Sequence, residues 1–130
     1  MEDIYKFEVD NDEFLKVLNG KKTVQLVIND NKHKVYAVGN QITFTRNIDG
    51  LNIEELEKDE NGEVKTSQNA TIENLLYFAD VKEAVETLGK ENCGFKPSAT
   101  FEKASDLFIA GESFETIEKN GIMAIIFKLI

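Results

Sequence analysis

The stretch from Ile122 to Leu129 constrains this chain more than any other. It opens with six consecutive apolar residues, is rich in β-branched side chains and holds a single charge, Lys128. The Asn120-Gly121 pair in front of it is a turn signal, so the segment reads as a strand. Six apolar residues fall far short of the roughly twenty that span a bilayer. Left on an open sheet edge, such a strand is an aggregation hazard. It therefore needs a hydrogen-bonded neighbour on each side, which a closed or nearly closed sheet supplies most simply.

The rest of the chain provides the partners. With 130 residues, 42% of them apolar, it reads as one domain spanning residues 1–130, able to bury about two-thirds of the surface its unfolded form exposes. Ile4 to Val9 alternates as a half-buried strand, with Tyr5, Phe7 and Val9 on one face. Asp10 and Glu13 stand at capping-box spacing and open a short helix whose apolar side is Phe14, Leu15 and Leu18, with Gly20 as its stop. From Thr23 to Asn29, Val24, Leu26 and Ile28 face inward, and Thr23, Gln25 and Val27 share the outward surface. After Gly39-Asn40, Gln41 to Arg46 is a strand with Ile42 and Phe44 inward. Between Asn47 and Gln68, Asn61-Gly62 predicts an acidic hairpin with a type I′ turn, and Ile53 and Leu56 leave a helical turn open. Ala70 to Phe78 reads as a central strand. Asp80 and Glu83 form a second capping box, before a stripe of Val81, Ala84, Val85 and Leu88 that Gly89 ends. Pro97-Ser98 predicts a third helix, with Phe101, Ala104, Leu107 and Phe108 on its apolar side and Gly111 as its stop. The class is α+β, a small barrel-like sheet of about five to seven strands with about three flanking helices.

Charge and cysteine usage narrow the function classes. The net charge of −9 argues against a general nucleic-acid binder. Yet between Phe14 and Ile48 the cations Lys16, Lys21, Lys22, Lys32, Lys34 and Arg46 meet one acid, Asp30. That stretch is therefore +5, and the remainder of the chain −14. Either this is a mixed solvated surface, or it is a basic face on an acidic body that holds an anionic ligand. The lone Cys93 rules out an internal disulfide, and the acidic start Met1-Glu2-Asp3 has no signal-peptide character. A cytoplasmic protein without membrane partners is expected.

Familiar catalytic sets are missing from the sequence. His33 is the sole histidine and Cys93 the sole thiol, so no zinc site is expected and no cofactor is implied. There is no Gly-x-Ser-x-Gly elbow and no phosphate-binding glycine spacing. Cys93 reads as an incidental loop thiol. The acids Glu54, Glu55, Glu57, Asp59, Glu60 and Glu63 read as a solvated loop.

The informative order is helix, Gly20-Lys21-Lys22-Thr23-Val24-Gln25-Leu26-Val27, polar connection, then Val38-Gly39-Asn40-Gln41-Ile42-Thr43-Phe44. It resembles the ASCH family (activating signal cointegrator homology), whose pattern is a helix, Gly-x-Lys-x-x-Glu-x-Arg, and a Val-Gly-Asp-like turn before an Ile-x-Phe strand. Tyr77-Phe78-Ala79-Asp80, Leu88-Gly89, Gly94-Phe95 and the Gly121-led strand extend the similarity. The resemblance implies a PUA-like β-barrel that binds single-stranded RNA or a nucleotide-like small molecule. Lys21, Lys22 and Arg46 would then position the ligand, with Thr23 and Gln25 reading it. Gly20 and Lys22 match the pattern; Gln25, Val27 and Asn40 replace its glutamate, arginine and aspartate. In small bacterial members of the family, a lysine, a threonine and a glutamate cleave acylated cytidines. Their lysine corresponds to Lys22, their threonine to Gln25, and their glutamate has only Glu91 as a candidate. Any catalytic role thus falls to Lys22. Gln pairs bidentately with a base edge, as it does with adenine in duplex DNA, and Tyr36 either stacks on a base or packs in the core. A third reading makes the acidic stretch from Leu51 to Glu63 a docking surface for a basic protein.

Overall fold

Five strands share one curled, half-barrel sheet in the computed structural model, which describes residues 4–100 and 114–130. Their order is β1 (Lys6–Val9), β3 (Gln41–Arg46), β4 (Ser67–Phe78), β5 (Ile122–Leu129) and β2 (Val24–Ile28). β1 runs parallel to β3, and the other pairings are antiparallel. The apolar strand β5 lies between β4 and β2, with Ile125 opposite both Leu75 and Gln25, so both its edges are paired as its composition demands. β4 is twelve residues long and central; a register shift between Ile72 and Asn74 bends it, as an extra residue in one strand does.

Where β2 and β5 pair, the sheet is buried on both faces. Met123, Ile125 and Phe127 of β5 point into one cluster with Val27, Ile42, Phe44 and Ile72; Phe14 and Val17 of helix α1 (Asn11–Leu18) plug that side, fully buried. Ile122 and Ala124 join Val24, Leu26 and Ile28 in a second cluster under α2 (Val81–Leu88) and α3 (Phe114–Asn120). Two-sided burial explains why β5 reads as a continuous apolar run and not as an alternation. It also corrects the expectation for β2. Thr23, Gln25 and Val27 do share a face, but it lines the inside of the curl: Val27 is buried and the other two are half-buried.

The remaining expectations fare differently. Asn61-Gly62 does turn a short hairpin, bridged at Lys58 and Val64. The turn is not type I′, because among the described residues none except glycine has positive φ. Gly62 N–H donates to Asp59 at 3.0 Å and Gly62 alone adopts φ 78°, a type I turn closed by a left-handed glycine. The helical turn is present as well, as one 3-10 turn at Ile53–Glu55. The helix expected from Pro97-Ser98 to Gly111 falls mostly outside the described residues, whereas α3 was not expected from the sequence. Tyr36 packs in the core, its hydroxyl donating to the Ile4 carbonyl.

Gly121 connects α3 to β5 at φ 75°, and a Cβ there would lie 2.7 Å from the Phe78 carbonyl oxygen. Gly121→Ala therefore combines a left-handed backbone penalty with a clash against backbone that cannot swing away. It should cost at least about 2 kcal/mol, read as a lowered urea midpoint. Among the described residues no helix is long and apolar enough to cross a membrane.

Candidate functional site

α1 ends at Gly20, where φ is 79°, and the next two lysines part ways. Lys21 is exposed, whereas Lys22 is 2% exposed. The corner that forces this is tied down on both sides. Lys22 N–H donates to the Lys16 carbonyl at 3.0 Å, and the N–H groups of Thr23 and Val24 both reach the Asn92 carbonyl at 2.9 Å. The second pair of bonds fixes the loop after α2 against the start of β2. That loop is turned by Gly89 at φ 96° and Gly94 at φ 91°, and it lays Cys93, Gly94 and Phe95 over the Lys22 side chain.

Glu13, Lys22, Gln25, Leu26, Cys93, Gly94 and Phe95 enclose a cavity of about 170 Å³. Its centre of charge is an ion pair between the Lys22 ammonium and Glu13 Oε1, and the same ammonium donates to Gln25 Oε1 at 2.7 Å. An ammonium has three N–H donors. Two are used here, and among the described residues the third meets no protein acceptor. Gln25 Nε2 makes one long contact, 3.4 Å to its neighbour's carbonyl, so its donor capacity is nearly whole. Gly94 is tightly packed: a Cβ would stand 3.1 Å from Lys22 Cδ, so the lysine stem would have to give way by a few tenths of an ångström.

Burial sets the electrostatics. Desolvation holds the Lys22 ammonium below its ordinary pKa of 10.5, against the opposing pull of Glu13. Cys93 is buried too, and desolvation pushes its thiol up to about 11 from 9.0, with the Lys22 charge pulling the other way. In the unfolded chain the thiol ionises first, so its contribution to stability is complete below pH 9 and is lost as the pH rises to about 11. Cys93→Ala should flatten that part of a stability–pH profile. In the folded protein near neutral pH the thiol should resist iodoacetamide, because the thiolate is the reactive form.

The residues singled out from sequence divide into two groups. Lys22 and Gln25 meet in the cavity; Lys21 is exposed and lines a neighbouring cleft instead, and Thr23 is half-buried just before β2. Arg46 does not line it. Its guanidinium is buried, donating to the Lys65 carbonyl at 3.0 Å, Asn11 Oδ1 at 2.8 Å and Glu57 Oε2 at 2.8 Å, and it lies 4.6 Å from the Phe14 ring centroid. Glu91 does not line the cavity either; the carboxylate beside Lys22 is Glu13. Sequence reasoning gave Glu13 to the capping box. Asp10 does accept from Glu13 N–H at 2.8 Å, but the Glu13 side chain turns away to Lys22. At the second box Glu83 does reach back, but one residue further than the rule has it, its Oε2 accepting from Ala79 N–H at 3.1 Å and not from the N-cap Asp80. Cys93 and Phe95 were missed as cavity residues, because long-range hydrogen bonds at the Asn92 and Gly94 carbonyls bring their loop here.

No family model matches the sequence, and no curated protein does. Two solved structures are similar along almost their whole length. The crystal structure of the hypothetical protein PH0355 has a TM-score of 0.69 at 17% identity, over 96% of this chain and 97% of that one. The NMR structure of PF0455 from Pyrococcus furiosus has a TM-score of 0.61, again at 17% identity over 96% of this chain and 97% of its own. At such identity the likeness speaks for the fold alone, a curled half-barrel sheet compatible with a PUA-like barrel.

Proposed function

We propose that the Glu13–Lys22–Gln25 cavity binds the base of single-stranded RNA or of a nucleotide-like small molecule, making the chain a cytoplasmic binding module of the PUA-like type. The observation that carries this reading is the buried ammonium with a donor to spare, next to a nearly unused amide. Burying a charge is costly unless its hydrogen bonds are made, and a ring carbonyl entering the cavity completes the set. Gln25 offers the donor and acceptor pair that reads a base edge, and Glu13 accepts from an exocyclic amine. At about 170 Å³, the space has room for one planar ring. Leu26 and Phe95 give the ring apolar walls.

Lys22 also favours a second reading. A lysine with lowered pKa beside a carboxylate in a cavity is the environment of a general base, which supports amide cleavage of acylated cytidine-like substrates with Glu13 as the carboxylate. Against it, Gln25 stands where the threonine nucleophile would be, and an amide cannot take that role.

One experiment addresses both readings. Amide NMR titration at low salt, with the ribonucleosides and short mixed-sequence RNA, should move the signals of Glu13, Lys22, Gln25 and residues 93–95, and Lys22→Met should abolish the response. Hydrolysis of N4-acetylcytidine in the same samples, lost in Lys22→Met, would establish the enzyme instead. Silence in both assays would remove both readings.

A further inference from the structure

We propose that the ligand carries a phosphate beside its base, held by Lys16, Lys21 and Lys96 in a second cleft that adjoins the Lys22 cavity; the inference rests on the binding reading above. The cleft measures about 140 Å³ and is lined by these three lysines together with Glu91, Phe95 and Pro97. It shares a wall with the first. Phe95 lines both, and Lys16 Nζ donates at 3.2 Å to the carbonyl of Gly94, which lines the Lys22 cavity. A ligand can therefore place its base in one and its charged group in the other, with the sugar against the Phe95 ring.

The convergence is not a by-product of one charged run. Lys16 comes from the last turn of α1, Lys21 from the corner after it, and Lys96 from the loop beyond α2. Three cations against the single acid Glu91 leave the cleft at +2 on a chain of net charge −9. Such a body repels a free nucleotide at long range, so a locally positive cleft is what admits one. Exposure also separates the two roles. Lys22 is buried and already engaged by Glu13, and a phosphate monoester of charge about −1.5 to −2 at pH 7 would have to shed its hydration to reach it. Lys21 and Lys96 are exposed and Lys16 half-buried, so the phosphate keeps part of its water while gaining charge-assisted hydrogen bonds. Lys16 uses one of its three donors on Gly94 and retains the others. The ligand class is a nucleoside monophosphate, either free or as the phosphorylated 5′ end of an RNA.

Calorimetric titration of the full chain with the four ribonucleosides and their 5′-monophosphates tests this. At least one monophosphate should bind about tenfold tighter than its nucleoside, with the advantage shrinking as salt is added. The double variant Lys21→Ala/Lys96→Ala changes two exposed side chains. It should bind that nucleoside like the wild type while losing the phosphate advantage. Equal affinity for nucleoside and monophosphate, or an advantage undiminished in the double variant, overturns the phosphate cleft and leaves the base cavity standing. If neither nucleoside nor monophosphate binds, the base cavity fails and the phosphate cleft with it. A 5′-phosphorylated trinucleotide compared with its 5′-hydroxyl form identifies the source: a preference there points to an RNA end, and a preference confined to mononucleotides points to a free nucleotide. Both support the cleft.

Discussion

Glu13→Gln should destabilise the protein by about 3 kcal/mol at neutral pH, while Lys22→Met leaves stability unchanged or raises it by about 1–4 kcal/mol. The asymmetry follows from where the pair lies. Lys22 is 2% exposed and the Glu13 side chain 33%. Removing the carboxylate strands an ammonium out of water, whereas removing the ammonium leaves a carboxylate that still reaches solvent and an apolar chain of similar length in the buried space of the lysine stem. Titration sharpens the test. The folded state binds the Lys22 proton more weakly than the unfolded state does, so the Lys22 contribution to stability rises as pH climbs toward 10.5, opposite in sign to that of Cys93. Glu13→Gln deletes the largest influence that holds the proton on, so its deficit should shrink as pH rises and the lysine becomes neutral. Lys22→Met should show no such rise. Both variants should bind no base, and Lys22→Met should lose binding without losing stability. That combination is the mark of a group kept for function and not for the fold. Urea denaturation between pH 6 and pH 8.5, below the titration range of Cys93, measures all of it; equal losses from the two variants would sink the argument.

The fold was legible where burial was legible. β5 announced two-sided pairing through its composition, β3 matched its expected span, and Asp10 and Asp80 marked two helix starts. What the sequence withheld were choices made by tertiary contacts. Period-two alternation places Gln25 and Val27 on one face of β2, but it says nothing about whether that face meets water or the inside of a curl. Capping-box spacing at Asp10 and Glu13 is identical to that at Asp80 and Glu83, and only the nearness of Lys22 diverts the first carboxylate. The cavity was half visible: Lys22 and Gln25 came from the corner motif, whereas Cys93, Gly94 and Phe95 join it from more than sixty residues away, through hydrogen bonds at the Asn92 carbonyl. A long-range backbone contact of that kind leaves no local pattern. In the acidic segment the hairpin and the helical turn were legible, but the role of Glu57 was not, for a related reason. Most of its charges are solvated, and Glu57 is singled out solely because Arg46 lies beneath it.

Arg46→Ala should cost about 3–5 kcal/mol, from two acceptors left without a donor at about 1–3 kcal/mol each and a lost cation–π contact, a large part of the roughly 5–15 kcal/mol that holds a domain of this size together. The guanidinium joins three parts of the chain: Asn11 at the start of α1, the Lys65 carbonyl that leads into β4, and Glu57 of the acidic segment. Its face covers the Phe14 ring at the plug of the first core cluster. Most of the loss should come from the ring and the two uncharged acceptors. The Glu57 side chain is 43% exposed, and a pair with one end in water contributes under about 1 kcal/mol, so Glu57→Ala should be mild. Arg46→Lys should not rescue the fold, because one ammonium cannot span three acceptors set around a planar fork while stacking on a ring. The same variants decide what the arginine is for. If Arg46 gripped phosphate, Arg46→Ala would weaken ligand binding in molecules that remain folded and would lower its salt dependence. With the guanidinium spent inside the fold, affinity per folded molecule should stay unchanged. Titrating the variant at low temperature, with the folded fraction taken from its own urea curve, separates the two. Of the cations in residues 14–48, Arg46 is then spent inside the domain and Lys22 is buried in the cavity, and Lys16 and Lys21 are the two that line the second cleft.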